Sequence, residues 1–215
     1  AGSFEELAEV ENAVRKSGIK FCAMHYMRFT PSFYHARKLV RAGAVGEIKM
    51  MTAQKSYIFG SRPDWYKNRK LYTGTIPWVG IHAIDWLWAF SGKRFISVNA
   101  VQSGNPERAA LCQFKMEDGV FASLSIDFYR PFSMKTHGDD RIRIVGTEGI
   151  MEVFDDRFVL LDEKGTHEEF PKSGPALAAD FLLGKQEITA EEIFMLTRVA
   201  LAAREAADIG KEIEI

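Results

Sequence analysis

The chain has 215 residues, 47% hydrophobic and 27% charged, a balance that excludes disordered and fibrous proteins and predicts a soluble globular one. Its 28 basic and 29 acidic residues leave a formal net charge of −1, so no basic excess exists to bind the phosphates of nucleic acid. No apolar run approaches the ~20 residues that span a bilayer, and the acidic N-terminus is not a secretion signal. We therefore expect a cytoplasmic protein with no nucleic-acid or membrane partner.

The first quarter of the chain predicts two helices and two strands. Ser3 and Glu6 have the spacing of a capping box, and Gly18 suits the end of the helix that follows. Pro31 stands at the start of the second helix, where its missing N–H costs nothing. The predicted elements are a helix over 4–16, a buried strand over 19–24, a helix over 31–42 and a strand over 47–59.

Residues 61–75 are polar and aromatic without a clear period, which predicts a long loop. Long loops in compact domains are usually functional. A helix over 77–90 follows, and Gly92 closes it.

The remainder of the chain reads mainly as strands. Glu117-Asp118-Gly119 and Thr147-Glu148-Gly149 are predicted hairpin turns, because glycine supplies the positive φ that such turns need. Strands joined by tight turns are antiparallel. The predicted elements are strands over 95–102, 109–116, 120–128, 141–145, 150–154 and 157–162, helical segments near 174–184 and 190–209, and a tail strand over 211–215.

These elements predict a single α+β domain over residues 1–215, with an open, mostly antiparallel sheet and its helices on one face. The uncovered face needs a partner, and a second copy of the chain would give a homodimer or homotetramer through the sheet. Eight apolar residues are more than three or four helices are expected to cover: Val98, Ala100, Leu111, Phe114, Phe121, Leu124, Ile126 and Phe128. Cys22 and Cys112 lie in apolar, strand-like runs, which favours two buried free thiols over a disulfide.

Three stretches, taken in order, resemble the Gfo/Idh/MocA family of NAD(P)-dependent oxidoreductases. Met27-Arg28-Phe29-Thr30-Pro31, with the later Gly43-Ala44-Val45-Gly46, is similar to the family's Arg-Phe-x-Pro helix and Gly-x-Ile-Gly turn. Gly80-Ile81-His82-Ala83-Ile84-Asp85 resembles its Gly-x-His-x-x-Asp helix. Gly146-Thr147-Glu148-Gly149 resembles its Gly-Thr-x-Gly hairpin.

The resemblance implies the family's C-terminal domain, whose fold is like that of dihydrodipicolinate reductase. In the family an N-terminal Rossmann domain precedes it and binds NAD or NADP, and a catalytic lysine lies just before the first helix seen here. No G-x-G-x-x-G run occurs in this chain, so we expect the chain alone to be inactive and to bind no dinucleotide. With its own Rossmann domain it would oxidise a hydroxyl group, or reduce a keto group, of a small sugar, polyol or sugar derivative.

The resemblance implies that His82 is the catalytic acid or base, and the ordinary pKa of histidine suits that chemistry. The residues alone also allow a histidine satisfied by a local hydrogen bond. Many family members carry an aspartate four residues earlier, where this chain has Trp78. An indole cannot take a proton, but it can stack on a sugar ring or simply belong to the core. Asp85 orients the imidazole or bonds to the backbone.

Further candidates flank this helix in the sequence. His25, Tyr26 and Arg28 precede a helix, and Arg28 either clamps a substrate anion or forms a structural ion pair. In the loop, Trp65 is a candidate for substrate binding, and its companions Lys67 and Arg69 are candidates for cofactor binding; a solvated loop is the alternative. The five histidines lack the spacing of a metal site.

A function of another class stays open beside the enzyme. The domain would then be a non-catalytic dimerisation or ligand-binding module that keeps the fold, and Trp78 would mark lost chemistry.

Overall fold

A computed structural model describes residues 1–185 and 188–215 of the protein. Over these residues the chain builds a nine-stranded sheet in the order β8-β7-β6-β5-β1-β4-β3-β2-β9. The strands are β1 Ile48–Tyr57, β2 Phe95–Gly104, β3 Glu107–Met116, β4 Phe121–Asp127, β5 Gly138–Gly146, β6 Gly149–Val153, β7 Phe158–Asp162, β8 Gly165–Glu169 and β9 Ile213–Glu214. The helices are α1 Phe4–Ser17, α2 Pro31–Arg41, α3 Arg69–Tyr72, α4 Ile81–Ser91, α5 Leu177–Leu182 and α6 Ala190–Ile209.

Neighbouring strands of the sheet are antiparallel except β1 and β4, which run parallel. The exception arises because the chain after β4 crosses over β1 and returns on its far side as β5. The two hairpin turns predicted around Asp118 and Glu148 join β3 to β4 and β5 to β6. The open, mostly antiparallel α+β fold is thus confirmed, and the described residues contain no doubly wound parallel sheet.

The core lies between one face of the sheet and the helices α2, α4 and α6. Strand side chains alternate, so Met51, Ala53 and Lys55 of β1 point inward and are buried, while Thr52 points outward and is exposed. Eight of the eleven residues of α4 are buried, because this helix lies between the sheet and its neighbouring helices. Each large apolar side chain buried in this way contributes about 1.5–3 kcal/mol.

Helix α1 packs outside this layer, where Leu7 contacts Phe194 and Leu201 of α6. The N-cap of α1 is Ser3, whose hydroxyl accepts from the N–H of Glu6, as predicted. The next segment contradicts the sequence interpretation, because residues 19–24 form no strand and Ile19 and Met24 are each 59% exposed. The sheet order of the described residues contains no strand from this segment, so its apolar pattern does not lead to strand pairing.

Two further expectations need correction. The predicted loop 61–75 contains a 3₁₀ turn, Asp64–Lys67, and the short helix α3, because its aromatic side chains pack on each other and bury Tyr66 and Tyr72. Strand β8 was not predicted, since all five of its residues are exposed and carry no apolar signal.

The outward face of the sheet carries fewer of the eight apolar residues than expected. Six of them lie in the core, and only Leu111 and Phe121 are exposed, at 57% and 55%. Because strand side chains alternate between the two faces, most of these residues point inward, where the helices cover them. Of the two free thiols only Cys112 is buried as predicted; Cys22 is half-buried and outside any strand. No helix among the residues described has the length and apolar character to cross a membrane.

Candidate functional site

His82 lies in the first turn of α4, directly after a π-helical turn, Ile76–Gly80. Such turns are rare and often mark functional positions. Gly80 permits the close approach of this helix to β4, because a Cβ added there would lie 2.5 Å from Cδ1 of Ile126. Gly80 therefore lets the helix pack closely on the sheet. The imidazole of His82, two positions later, comes to lie on the side of the sheet that the helices cover.

The imidazole of His82 is half-buried, and its neighbours leave one ring nitrogen without a partner. Its ring centroid lies 5.8 Å from that of His25 and 6.2 Å from that of Tyr26. Nδ1 of His82 is buried and accepts or donates no hydrogen bond within the described residues. Burial, and then the nearby charge of Lys55, lower the pKa of His82 to about 4. The ring is therefore neutral at pH 7, and it is a weaker base than the ordinary histidine that the sequence led us to expect.

Lys55 is a buried charge that the sequence interpretation missed. Its side chain is 1% exposed, and Nζ lies 3.0 Å from Oδ1 of Asp140 and 4.3 Å from the ring centroid of Trp86. The hydroxyl of Tyr57 donates to the same carboxylate at 2.8 Å. Burial lowers the pKa of Lys55, and the charge of Asp140 offsets part of that effect. The available signal was a lysine at an inward position of an alternating strand.

The side chains of Arg28 and Asp85 are buried and bond to each other. Nε of Arg28 donates to both carboxylate oxygens of Asp85 at 2.9 and 3.0 Å, and Nη2 also donates to Oδ1. Nδ1 of His25 lies 3.3 Å from Oδ1 of the same carboxylate. Burial opposes ionisation of Asp85, yet the contacts with His25 and Arg28 lower its pKa. This geometry favours the structural ion pair, one of the two interpretations left open for Arg28.

Trp78 belongs to an aromatic cluster with Trp65, Tyr66 and Tyr72. Its ring centroid is 5.3 Å from that of Trp65, 6.1 Å from Tyr66 and 6.4 Å from Tyr72. Trp78 is 46% exposed, so it is not a core residue, and part of its indole remains open for stacking. The ring contacts of His82 go instead to His25 and Tyr26. A single cleft shared by Trp78 and His82 therefore stays a prediction.

The two cofactor candidates differ in their surroundings. Lys67 is exposed and pairs with Asp64 at 2.8 Å, an ion pair that water screens and that a ligand can replace. The guanidinium of Arg69 is held by Glu107 and, at 3.0 Å, by Asp208. Arg69 thus ties the loop to β3 and α6 and does not fit a free cofactor ligand, whereas Lys67 fits one.

The family model for the GFO/IDH/MocA C-terminal domain matches residues 33–152, more than half of the chain. The chain belongs to the Gfo/Idh/MocA family. Among curated proteins, none matches it.

Solved structures of the family agree over the whole chain. A protein from Thermotoga maritima assigned as an oxidoreductase is 46% identical with a TM-score of 0.96, and the match covers 100% of this chain and 70% of that one. An aldose-aldose oxidoreductase from Caulobacter crescentus, complexed with glycerol, gives 20% identity, a TM-score of 0.85 and coverages of 100% and 70%. A levoglucosan dehydrogenase in complex with NADH and L-sorbose is 16% identical with a TM-score of 0.85, and the match covers 100% of this chain and 71% of that one. The last two likenesses show the shared fold.

Proposed function

We propose that residues 1–215 form the substrate-binding and oligomerisation domain of an NAD(P)-dependent oxidoreductase. With its own N-terminal Rossmann domain, the protein oxidises a hydroxyl group or reduces a keto group of a sugar, polyol or sugar derivative. The bound nicotinamide supplies the hydride acceptor or donor.

The observation that carries this proposal is the state of His82. Its ring is neutral at pH 7, retains partial exposure, and leaves one nitrogen unpaired among the described residues. In the oxidation, a ring nitrogen of His82 takes the hydroxyl proton while a hydride leaves the same carbon, so the alcohol becomes a ketone or lactone. In the reduction the same steps run in reverse, and a proton passes through this ring nitrogen to the new alkoxide. Histidine in this role contributes roughly 10²- to 10⁴-fold to rate.

The substrate class is supported by aromatic surface on the segment that precedes the acid–base group in the chain. The half-exposed indoles of Trp78 and Trp65 lie on the loop and helix start that precede His82, and indoles stack on the apolar faces of sugar rings. Two structural neighbours act on aldoses or levoglucosan by their names. Tyr26, which is 51% exposed and next to His82, is available to donate a hydrogen bond to a substrate hydroxyl. Lys67, which is exposed, is the lysine proposed to contact the cofactor.

The test is steady-state kinetics of the full-length protein against a panel of aldoses, polyols and anhydrosugars with NAD⁺ and NADP⁺. With the best substrate, His82→Ala should lower kcat by about 10²-fold or more because the proton acceptor is lost. His167→Ala is the matched control, since that ring is exposed and pairs only with Asp162. An unchanged kcat in His82→Ala would overturn the proposed role.

A non-catalytic dimerisation module is the second candidate. It is favoured by Trp78 in place of the family's aspartate and by the internal pairing of Arg28 with Asp85. Absence of turnover with the whole panel, together with a stable dimer, would support it.

A further inference from the structure

Two histidines from distant parts of the chain meet at the candidate site. His25 immediately precedes the 3₁₀ turn Tyr26–Phe29, and His82 lies in the first turn of α4. Their ring centroids are 5.8 Å apart, with an interplanar angle of 66°, so one ring presents its edge to the other. His25 is the more enclosed of the two, at 5% exposure. The proposed acid–base role of His82 does not by itself assign a function to His25.

The buried Nδ1 of His82 calls for a partner, because buried polar atoms in folded proteins nearly always have one. The aromatic rings in contact with His82 are those of His25 and Tyr26. Tyr26 is half exposed and can bond to water or substrate, whereas His25 is enclosed with His82. A centroid separation of 5.8 Å allows a bond between the two rings, directly or through one water molecule.

Asp85 decides which nitrogen of His25 is free. Its carboxylate is fixed by the forked contact with Arg28, and its Oδ1 lies 3.3 Å from Nδ1 of His25. Among the described residues the structure aligns no hydrogen bond at Nδ1 of His25, but a carboxylate accepts only, so its approach favours the tautomer with the proton on Nδ1, which keeps Nε2 as an acceptor. An acceptor at that position selects the form of His82 that carries its proton on Nδ1.

We propose that His25, held by Asp85, is a positioning residue that fixes the tautomer of His82. Nδ1–H of His82 donates to Nε2 of His25, directly or through one water, and Nε2 of His82 is left as the acceptor for a substrate hydroxyl. This inference rests on the proposed function of His82 for its catalytic consequence, but the tautomer exists without it. When Nε2 takes the hydroxyl proton, Nδ1–H stays bonded to His25, so the new imidazolium is held by the Asp85 carboxylate through His25.

Besides the Tyr26 ring, three charged or titratable groups face His82 from the elements packed around it. They are Lys55 from β1, His25 from the segment before α2, and Asp85 from α4 itself. Lys55 opposes protonation of His82 and Asp85 favours it, so these two charges change the pKa of His82. His25 alone of the three offers a ring nitrogen, and for this reason its effect is on the tautomer.

The tautomers are read directly by long-range ¹H–¹⁵N NMR of the full-length protein labelled with ¹⁵N at histidine, assigned by single substitutions. His82 should carry its proton on Nδ1 in the native protein. His25→Phe should convert it to the Nε2–H form or a mixture, and His25→Gln should restore Nδ1–H, because the glutamine carbonyl replaces Nε2 as acceptor. His167→Phe is the matched control: it removes another histidine paired with an aspartate and should leave His82 unchanged. A native Nε2–H tautomer overturns the proposal even if a variant fails to fold.

Kinetics separates this proposal from the proposed function. His25→Phe should lower kcat about 10- to 100-fold with little change in KM, the usual scale for a partner that orients a reacting group, and His25→Gln should recover most of it. A lowered kcat with an unchanged His82 tautomer would show a merely structural role and reject the positioning role. If His82→Ala has no effect on kcat while the tautomer follows His25, the dyad stands and the catalytic assignment fails.

Discussion

The charged side chains near His82 hold one another inside the fold. Arg28 is 2% exposed and Asp85 is fully buried, and each is bonded to the other. Such a pair adds little net stability over apolar residues, but loss of one partner costs about 3–5 kcal/mol because it leaves a buried charge alone. The pair therefore fixes the positions of the two chain segments that carry His25 and His82.

The indole of Trp78 gives a prediction about binding. Trp78→Ala should raise KM about 3- to 10-fold with kcat nearly unchanged, because stacking holds substrate equally in the ground and transition states. Trp78→Phe keeps an aromatic face and should retain most of the affinity. A fall in kcat without a change in KM would place Trp78 in the chemistry instead.

The lowered pKa of His82 makes a prediction about stability. Its pKa is about 4 in the folded protein and about 6.5 when unfolded, so between these values the unfolded chain binds a proton that the folded chain does not. His82 therefore destabilises the fold progressively as pH falls from 6.5 to 4. In His82→Asn this contribution should vanish, and the loss of unfolding free energy over that range should be smaller by about 2 kcal/mol. Urea titrations at several pH values measure it; parallel losses in both proteins would contradict the burial argument.

At the scale of elements, the approach of α4 to β4 depends on Gly80. A methyl group there would lie 2.5 Å from Cδ1 of Ile126, which is 1% exposed and has little room to move. Gly80→Ala should thus destabilise the protein by about 1–3 kcal/mol, the range for overpacking. Ile126→Val removes the opposing methyl. The double variant should be less destabilised than the sum of the single variants, and simple additivity in chemical denaturation would show that the contact relaxes freely.

At the scale of the whole molecule, the outward face of the sheet retains exposed apolar side chains. Val101, Leu111 and Phe121 are 61%, 57% and 55% exposed on adjacent strands. We predict that the protein self-associates through this face, with more than ~2,000 Å² buried as in obligate dimers. Light scattering should give a dimer or tetramer mass at micromolar concentration.

The paired substitution Leu111→Lys with Phe121→Lys should shift that mass to the monomer. Leu182→Lys is the control, because Leu182 is 79% exposed on α5, outside the sheet. A native monomer at micromolar concentration, or dissociation by the control alone, would reject the sheet as the interface.

Local patterns in the sequence determined most of the fold. Helix caps, glycine turns and strand alternation act over a few residues, so α1, α2, α4, α6 and eight of the nine strands were predicted, with boundaries shifted by a few residues. Residues 19–24 were misassigned, because an apolar run becomes a strand only where a neighbour offers a free edge. Strand β8 was missed, since its residues are exposed on both sides and carry no period.

The sequence named His82 and its neighbours Tyr26, Arg28 and Asp85 as candidates, but it did not show which of them contact one another. The surroundings of His82 are contacts across long stretches of chain: His25 is 57 positions away, and Lys55 lies on strand β1. The packing of the helices on the sheet produces three features: the pairing of Arg28 with Asp85, the unpaired nitrogen of His82 and the buried charge of Lys55. Burial and distance set these properties, and neither is encoded in a local pattern. Only the tertiary structure decided that the neutral histidine at this site has a second histidine beside it.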